Sequence, residues 1–323
     1  MTAIEELQNR IEEAFSGLRF PSEPADLYNP ISYTLSLGGK RMRPWLMLAS
    51  CQMFGGEITD AINPAIGIEL FHNFTLLHDD IMDDAPLRRG EPTVYKKWNA
   101  NVAILAGDTM FALANKFMLQ TRPEVVPQIL ELFNQTAVEV CEGQQFDMDY
   151  EHRSQVSIAD YMEMIRLKTA VLLAASLKIG AIIAEAEIHD CEFIYQFGIH
   201  IGLAFQLKDD LLDVYGQQEK FGKVTGGDII AGKKTYLYLK ALECAQDKAE
   251  YLRELYSSHP DDSSHKVTEV KKIFDELQIE RLTRNEIEIF YQKALHDLMS
   301  IGLPSEAMET LIEYTDALMQ REK

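Results

Sequence analysis

Two stretches of the chain place aspartates where they can share a metal ion: Asp79-Asp80-Ile81-Met82-Asp83-Asp84 and Asp209-Asp210-Leu211-Leu212-Asp213. On a helix, positions i and i+4 lie on one face, so the pairs Asp79/Asp83, Asp80/Asp84 and Asp209/Asp213 are each expected to point one way. Like charges at that spacing cost about a few tenths of a kcal/mol per pair on an isolated helix. Each run also ends a long apolar stretch, where uncompensated charge costs more. A hard divalent cation offsets that cost, because Mg²⁺ takes carboxylate oxygens and keeps water and phosphate oxygens in its other positions. One such run reads as well as a solvated acidic face; two, each closing an apolar helix, argue for metal. An acid/base carboxylate pair of the glycosidase kind fits poorly, because two clusters of carboxylates suit metals better than one acid and one base.

Basic residues gather in short clusters, most of them beside glycine or a turn: Gly38-Gly39-Lys40-Arg41-Met42-Arg43, Arg88-Arg89-Gly90, Lys168-Thr169, and Lys223 with Lys233-Lys234 around Gly226-Gly227-Asp228. Guanidinium forks grip phosphate oxygens in pairs, lysine acts as a point charge, and glycine lets backbone approach a ligand. Any one of these cations reads as ordinary surface. Together with the carboxylates they suggest an anion held from two sides, by metal and by cations.

The elements that must carry these groups follow a helical period. Ile4, Leu7, Ile11 and Phe15 step by three and four; 44–54 is apolar and stops at Gly55-Gly56; 66–81 and 199–215 are apolar on most sides, as central bundle helices are. Sustained period-two alternation is missing, so strands are not expected. Loops are expected at Gly38-Gly39, Pro86–Pro92, Phe221–Gly232 and Ser257–His265. With no long linker, residues 1–323 are expected to form one domain.

Composition removes several classes. Hydrophobic residues make up 46% of the 323 positions, enough for a large core. A formal charge of −20 disfavours nucleic acid and anionic lipid as partners. Cys51, Cys141, Cys191 and Cys244 show no metal-ligand spacing and read as thiols of a reducing compartment. The opening residues, Met1 to Leu7, have no basic or apolar leader character, so a cytoplasmic location is expected. The longest apolar stretch, Thr169 to Ala184, is interrupted by Lys178 and falls short of the ~20 residues of a membrane span.

In order and spacing, the motifs resemble the trans-isoprenyl diphosphate synthases of the polyprenyl synthetase family. The resemblance rests on Gly39-Lys40-Arg41-Met42-Arg43-Pro44, His78 through Asp83, Leu87-Arg88-Arg89-Gly90, Gly107-Asp108, Lys168-Thr169, Phe205 through Asp210, and Gly222-Lys223 with Gly232-Lys233. It covers nearly the whole chain, although residues from about Cys244 to Arg284 carry no matching motif.

The resemblance implies an all-α, single-domain antiparallel bundle around a deep cavity, assembled as a homodimer, with the aspartate motifs facing across that cavity. It implies Mg²⁺, three ions with substrate bound, held by Asp79, Asp83 and Asp209, with Asp80, Asp210 and Asp213 direct or through water. Isopentenyl diphosphate would be held by Gly39, Lys40, Arg43, His72 and Arg89. The allylic diphosphate would be held by Arg88, Lys168, Thr169, Gln206, Lys223 and Lys233. The groups assigned to catalysis are Asp79, Asp83, Arg88, Lys168, Thr169, Gln206 and Asp209.

Product length, on the same resemblance, is set just before the first aspartate. Thr75 lies on the stripe below Asp79 at about 100° per residue and is too small to block a growing chain. Phe74, with Phe71 a turn earlier, supplies the bulk. Phe74-Thr75 resembles the archaeal-type geranylgeranyl synthases, so a C20 product is expected, then C15, then longer chains. A terpene cyclase would replace the second aspartate run by an Asn/Ser/Glu motif, and a non-catalytic subunit would have lost aspartates or arginines; neither is the case. The C-terminal Arg321-Glu322-Lys323 reads as a frayed end rather than a basic flap over phosphate.

Overall fold

The helical period in the sequence is realised along the chain. The computed structural model describes residues 2–216, 226–258 and 263–320. It forms helices α1 (Ala3–Ser16), α2 (Ala25–Ser36), α3 (Met42–Met53), α4 (Ile58–Met82), α5 (Val94–Lys97), α6 (Ala100–Met118), α7 (Val126–His152) and α8 (Ile158–Ile165). A π-helical turn, Arg166–Ala170, leads into α9 (Val171–Ile183) and α10 (Ile188–Tyr215). The chain continues with α11 (Gly227–Ala231), α12 (Tyr236–Cys244), α13 (Ala249–Ser257), α14 (Ser263–Glu276), α15 (Ile279–Met299) and α16 (Ser305–Gln320). This is an all-α fold.

The described residues group into two compact units. The first comprises Met1–Asn134, Ala175–Glu192 and Gly302–Leu311. In it, α1 begins with a capping box in which Thr2 and Glu5 each bond the other's backbone N–H. The helix is tied to α3 by Trp45 Nε1, which donates to the Ile4 carbonyl at 3.3 Å. Helix α3 is buried along nearly its whole length, and α4 packs chiefly on α6 and α3. Close packing of α4 on α6 depends on Gly67, where a Cβ would lie 2.9 Å from the Ala114 carbonyl oxygen.

The second unit comprises Gln135–Ala174, Phe193–Ile301 and Ile312–Lys323. In it, Ser157 and Asp160 form a capping box that starts α8. The π-helical turn lies against α7 and α10 at two glycines. A Cβ on Gly143 would be 2.3 Å from the Lys168 amide nitrogen, and one on Gly202 would be 2.6 Å from the Ala170 Cα.

Four local expectations are corrected. The Pro86–Pro92 loop contains a two-residue antiparallel ladder, β1 (Leu87–Arg88) and β2 (Glu91–Pro92). Positive φ at both Arg89 (55°) and Gly90 (82°) gives it the primed turn whose twist suits a hairpin. Helix α11 lies inside the expected 221–232 loop, and His265 belongs to α14 rather than to a loop. Asp84 does not share a face with Asp80, because α4 ends at Met82 and Asp84 turns to φ 47°.

Candidate active site

Helix α4 delivers the first aspartate run to its own C-terminal end. The Asp83 amide still bonds the Asp79 carbonyl at 2.8 Å, so these two share a face. Asp79 is half-buried and Asp83 exposed. Asp80 instead turns inward. It is only 4% exposed, and Arg88 Nη2 and Nε donate to its Oδ1 at 2.5 and 3.0 Å. Burial raises its pKa and the Arg88 bond opposes that. Asp84, off the helix, accepts from Tyr95 Oη at 2.8 Å and Lys96 Nζ at 3.0 Å. The run therefore divides into an outward pair, Asp79 and Asp83, and an inward anchor, Asp80.

The cations beside it divide in the same way. In the turn Gly38–Arg41, Gly39 has φ 142°, and a Cβ there would sit 2.7 Å from Arg89 Nη2, so glycine lets that guanidinium lie against the backbone. Lys40 is exposed on this turn. Arg41 is occupied: it bonds Glu69 Oε1 and the Leu35 carbonyl, each at 2.8 Å, and covers the Phe15 ring. Arg43 is different, since its buried Nε has no protein partner. Burial, partly offset by Glu69, pulls its pKa down to about 10, which leaves it charged at neutral pH. His72 is pushed well below its ordinary range by burial and by Arg43, Arg89, Arg88 and Arg41, so it is a neutral imidazole. Gly39, Arg43, His72 and Arg89 thus meet in one electropositive patch, and an orphaned guanidinium nitrogen is what an anionic ligand would satisfy.

Within the second unit, the other aspartate run ends α10. Asp209 is exposed. Asp213 faces the start of α11: its Oδ2 accepts from the Asp228 amide at 2.9 Å, and its carbonyl accepts from the Gly226 amide at 2.7 Å. Asp210 is buried and accepts from the Tyr161 hydroxyl and from Gln206 Nε2, the latter at 3.0 Å. Burial and Asp228 hold its carboxyl well above the usual carboxylate range. Thr169 Oγ1 donates to Gln206 Oε1 at 3.0 Å, so Thr169, Gln206, Asp210 and Tyr161 form one chain of hydrogen bonds. Lys168 pairs with Asp147 on α7 at 2.5 Å. Lys233 lies just past α11; Lys223 is outside the described residues.

Four contributors were not singled out by sequence reasoning: Tyr161, Asp147, Asp228 and Gly143. Of these, Gly143 carried a readable sign, a glycine within a long helical pattern, which usually has a packing reason. Tyr161 and Asp147 look like ordinary helix residues until their partners are seen.

Below Asp79 on α4, Phe74 stacks on Phe111, and Phe71 contacts Phe74, Phe111 and Phe133. Gly107 makes room for this group, since a Cβ there would be 2.4 Å from His78 Nε2 and 3.3 Å from Phe74 Cδ2. Thr75 folds its hydroxyl back on the His72 carbonyl at 2.8 Å.

Carboxylate oxygens from Asp79 with Asp83, and from Asp209, are hard donors of the kind Mg²⁺ prefers. Among the described residues no three His, Cys, Asp or Glu side chains converge on one point. Held by one or two carboxylates, Mg²⁺ keeps its other positions for water and phosphate oxygens.

An all-α fold with paired carboxylates ending one helix, beside an arginine patch holding an unsatisfied guanidinium, suits a helical enzyme that handles a phosphate-bearing anion together with a metal. Residues 24–277 match the polyprenyl synthetase family, and the chain belongs to that family of prenyltransferases. It is 39% identical over 248 residues to a geranylgeranyl diphosphate synthase of Methanosarcina mazei, covering 75% of this chain and 76% of that one. It is 34% identical to a geranylfarnesyl diphosphate synthase of Natronomonas pharaonis, covering 99% and 97%. A crystal structure of a geranylgeranyl pyrophosphate synthase superimposes with TM-score 0.96 at 44% identity, covering 100% of both chains. The enzyme elongates prenyl chains. Among the described residues no helix is long and apolar enough to cross a membrane.

Proposed function

We propose that the enzyme adds isopentenyl diphosphate to an allylic diphosphate and releases geranylgeranyl diphosphate, C20, acting as one functional domain over residues 1–323, as a homodimer, in the cytoplasm. The observation that carries the product length is Phe74 packed on Phe111 five residues before Asp79, with small Thr75 next to it in the chain. The geranylgeranyl relatives support this reading. The geranylfarnesyl relative favours a C25 product as the second reading.

Isopentenyl diphosphate would bind Arg43, Arg89, Lys40 and neutral His72, with Gly39 keeping the backbone close. Arg43 Nε gains the partner it lacks, and His72 can donate one N–H without adding charge. The allylic diphosphate would meet Lys168, Lys233 and Lys223, with Arg88 at its edge. Mg²⁺, three ions in the occupied site, would be held by Asp79, Asp83 and Asp209, and would supply charge neutralisation to the departing diphosphate. Asp80, Asp210 and Asp213 would act one step back, anchoring Arg88, Gln206 and α11.

In the reaction, the allylic C–O bond breaks and its electron pair leaves with diphosphate. The cations stabilise that charge as it builds. Thr169 and Gln206 can turn oxygen dipoles toward the carbocation. The isopentenyl double bond gives its electron pair to the cation, and loss of a proton, with the released diphosphate as the favoured acceptor, restores the alkene. Water must be kept out, since it would quench the cation.

The deciding experiment is incubation with isopentenyl diphosphate, Mg²⁺ and dimethylallyl, geranyl or farnesyl diphosphate, with products resolved by chain length. A C20 product is expected. If no primer is lengthened the reading fails, and a dominant C25 product would replace the proposed length.

A further inference from the structure

The stretch without a recognisable motif, after Cys244, contains a buried lysine. Lys266 on α14 is 1% exposed, and burial lowers its pKa. Its Nζ donates to the Ser258 carbonyl at 2.9 Å and the Ile230 carbonyl at 3.4 Å. Ile230 lies in α11, in the stretch that separates Asp228 from Lys233. A buried ammonium is expensive, and here it is spent on carbonyls at the ends of two short helices, the groups a cation satisfies best.

Two neighbours act on the same stretch. Tyr256 Oη donates to the Lys233 carbonyl at 2.8 Å. A Cβ on Gly226 would lie 2.7 Å from Val267 Cγ1, so α14 meets the start of α11 in direct contact. Farther along α14, Lys271 reaches the Val214 carbonyl at 3.5 Å, and Asp275 accepts from Tyr215 Oη at 2.9 Å. Val214 and Tyr215 directly follow Asp213. On its other side, α11 meets Asp213, whose carbonyl accepts from the Gly226 amide and whose Oδ2 accepts from the Asp228 amide.

We infer that α14, through Lys266 with Tyr256 of α13, is the splint that holds the 226–235 segment against the second aspartate run, and that Lys266 and Tyr256 are positioning residues for the allylic diphosphate half of the site. Neither needs to touch substrate. They set where Asp228 and the Lys233 backbone sit relative to Asp213. The kinetic part rests on the proposed assignment of Lys233 to the allylic substrate; the structural part does not.

The test uses Tyr256→Phe, which removes one hydroxyl, and Lys266→Met, which keeps the buried stem. Hydrogen exchange of the full-length protein is measured first. Amides in 226–235 are expected to exchange faster in both variants, by about three- to tenfold, the factor one lost hydrogen bond is worth, while amides of α3 and α4 are unchanged. Equal protection, or acceleration spread over the whole chain, overturns the splint. Kinetics follow. KM for the allylic diphosphate and the Mg²⁺ concentration for half-maximal rate should rise by a similar factor, with KM for isopentenyl diphosphate constant. Equal effects on both substrates, or none, overturn the positioning role. If Lys266→Met does not fold, Tyr256→Phe decides alone. Failure of the wild type to elongate any primer would refute the functional reading, and the exchange result would still decide the splint.

Discussion

Phe74 and Phe111 stack with ring centroids 5.4 Å apart and planes 19° from parallel. The pair joins α4 to α6 five residues before Asp79, and Phe71 and Phe133 back it. If this is the floor of the elongation channel, Phe74→Ala should shift the main product beyond C20, and Phe111→Ala should do so more weakly, by loosening Phe74. Product chain length by reversed-phase chromatography checks both. An unchanged C20 product in Phe74→Ala would remove Phe74 as the floor. Because Phe74 is only half-buried, the stability loss should fall below the ~3–5 kcal/mol of a fully buried Phe→Ala change.

Within one aspartate run, activity and stability should separate. Asp83 is exposed and Asp80 buried against Arg88. Asp83→Ala should lose activity by about two orders of magnitude or more, as for lost electrostatic stabilisation of a transition state, with little change in urea midpoint. Arg88→Met should lower the midpoint too, since it leaves Asp80 buried without its partner. The cost is about 1–3 kcal/mol, below the ~3–5 kcal/mol of a fully buried pair because Arg88 is partly solvated. Equal unfolding curves for Arg88→Met and wild type would contradict the anchoring role of Asp80.

Gly143 is a position where one methyl group should matter. A Cβ there would meet the Lys168 amide at 2.3 Å, against backbone that cannot swing aside. Gly143→Ala should therefore displace the π-helical turn, cost about 1–3 kcal/mol, and weaken allylic diphosphate binding through Lys168. Stability and KM are both measurable. The informative contrast is Gly302→Ala, with nothing within 4 Å of its Cβ, which should change neither.

The thiols should sort by burial. Burial pushes Cys51 up to about 12 and Cys191 up to about 11. At pH 8 both should resist alkylation in the native protein and react once it is unfolded, as mass spectrometry would show. The linkage runs one way. A thiol whose pKa is raised by folding adds stability below its unfolded pKa, about 8.5, and loses it as pH rises toward the folded value. The urea midpoint should therefore decline above about pH 8.5, and less in Cys51→Ser than in wild type.

Much of this was legible in the sequence because helices announce themselves by period, and because paired carboxylates on apolar helices are costly enough to need a reason. Asp79 and Asp83 share a face as spacing alone requires. What the period does not encode is where a helix stops. Asp84 leaves the helix, so its expected partnership with Asp80 is not formed. Nor does spacing say which of two adjacent aspartates turns inward. That depends on Arg88, brought back by a hairpin too short to leave an alternating pattern. Arg41 and Arg43 look equivalent in sequence, and only tertiary contacts assign one to Glu69 and leave the other with an unsatisfied nitrogen. Lys266 was illegible for the same reason: a buried lysine looks like a surface one until its carbonyl partners are placed.

Metal and diphosphate should stabilise the protein far more together than apart. Mg²⁺ alone would meet one or two carboxylates and otherwise water, and diphosphate alone would meet the cations with its charge otherwise uncompensated. With both present, Asp79 and Asp83 would share the ion with phosphate oxygens on the proposed assignment, and Arg43 Nε, which has no protein partner, would gain one. At concentrations about a hundredfold above Kd, mass action gives ~2.7 kcal/mol, a rise of about 4 °C in Tm for a chain of this size. Mg²⁺ alone and diphosphate alone should each give well under half of that, EDTA should cancel the joint effect, and Asp79→Asn with Asp83→Asn should abolish it while leaving the ligand-free Tm nearly unchanged. A full shift from Mg²⁺ alone would mean that the carboxylates form a complete metal cage, and the partition between protein and substrate oxygens argued for this site would be wrong.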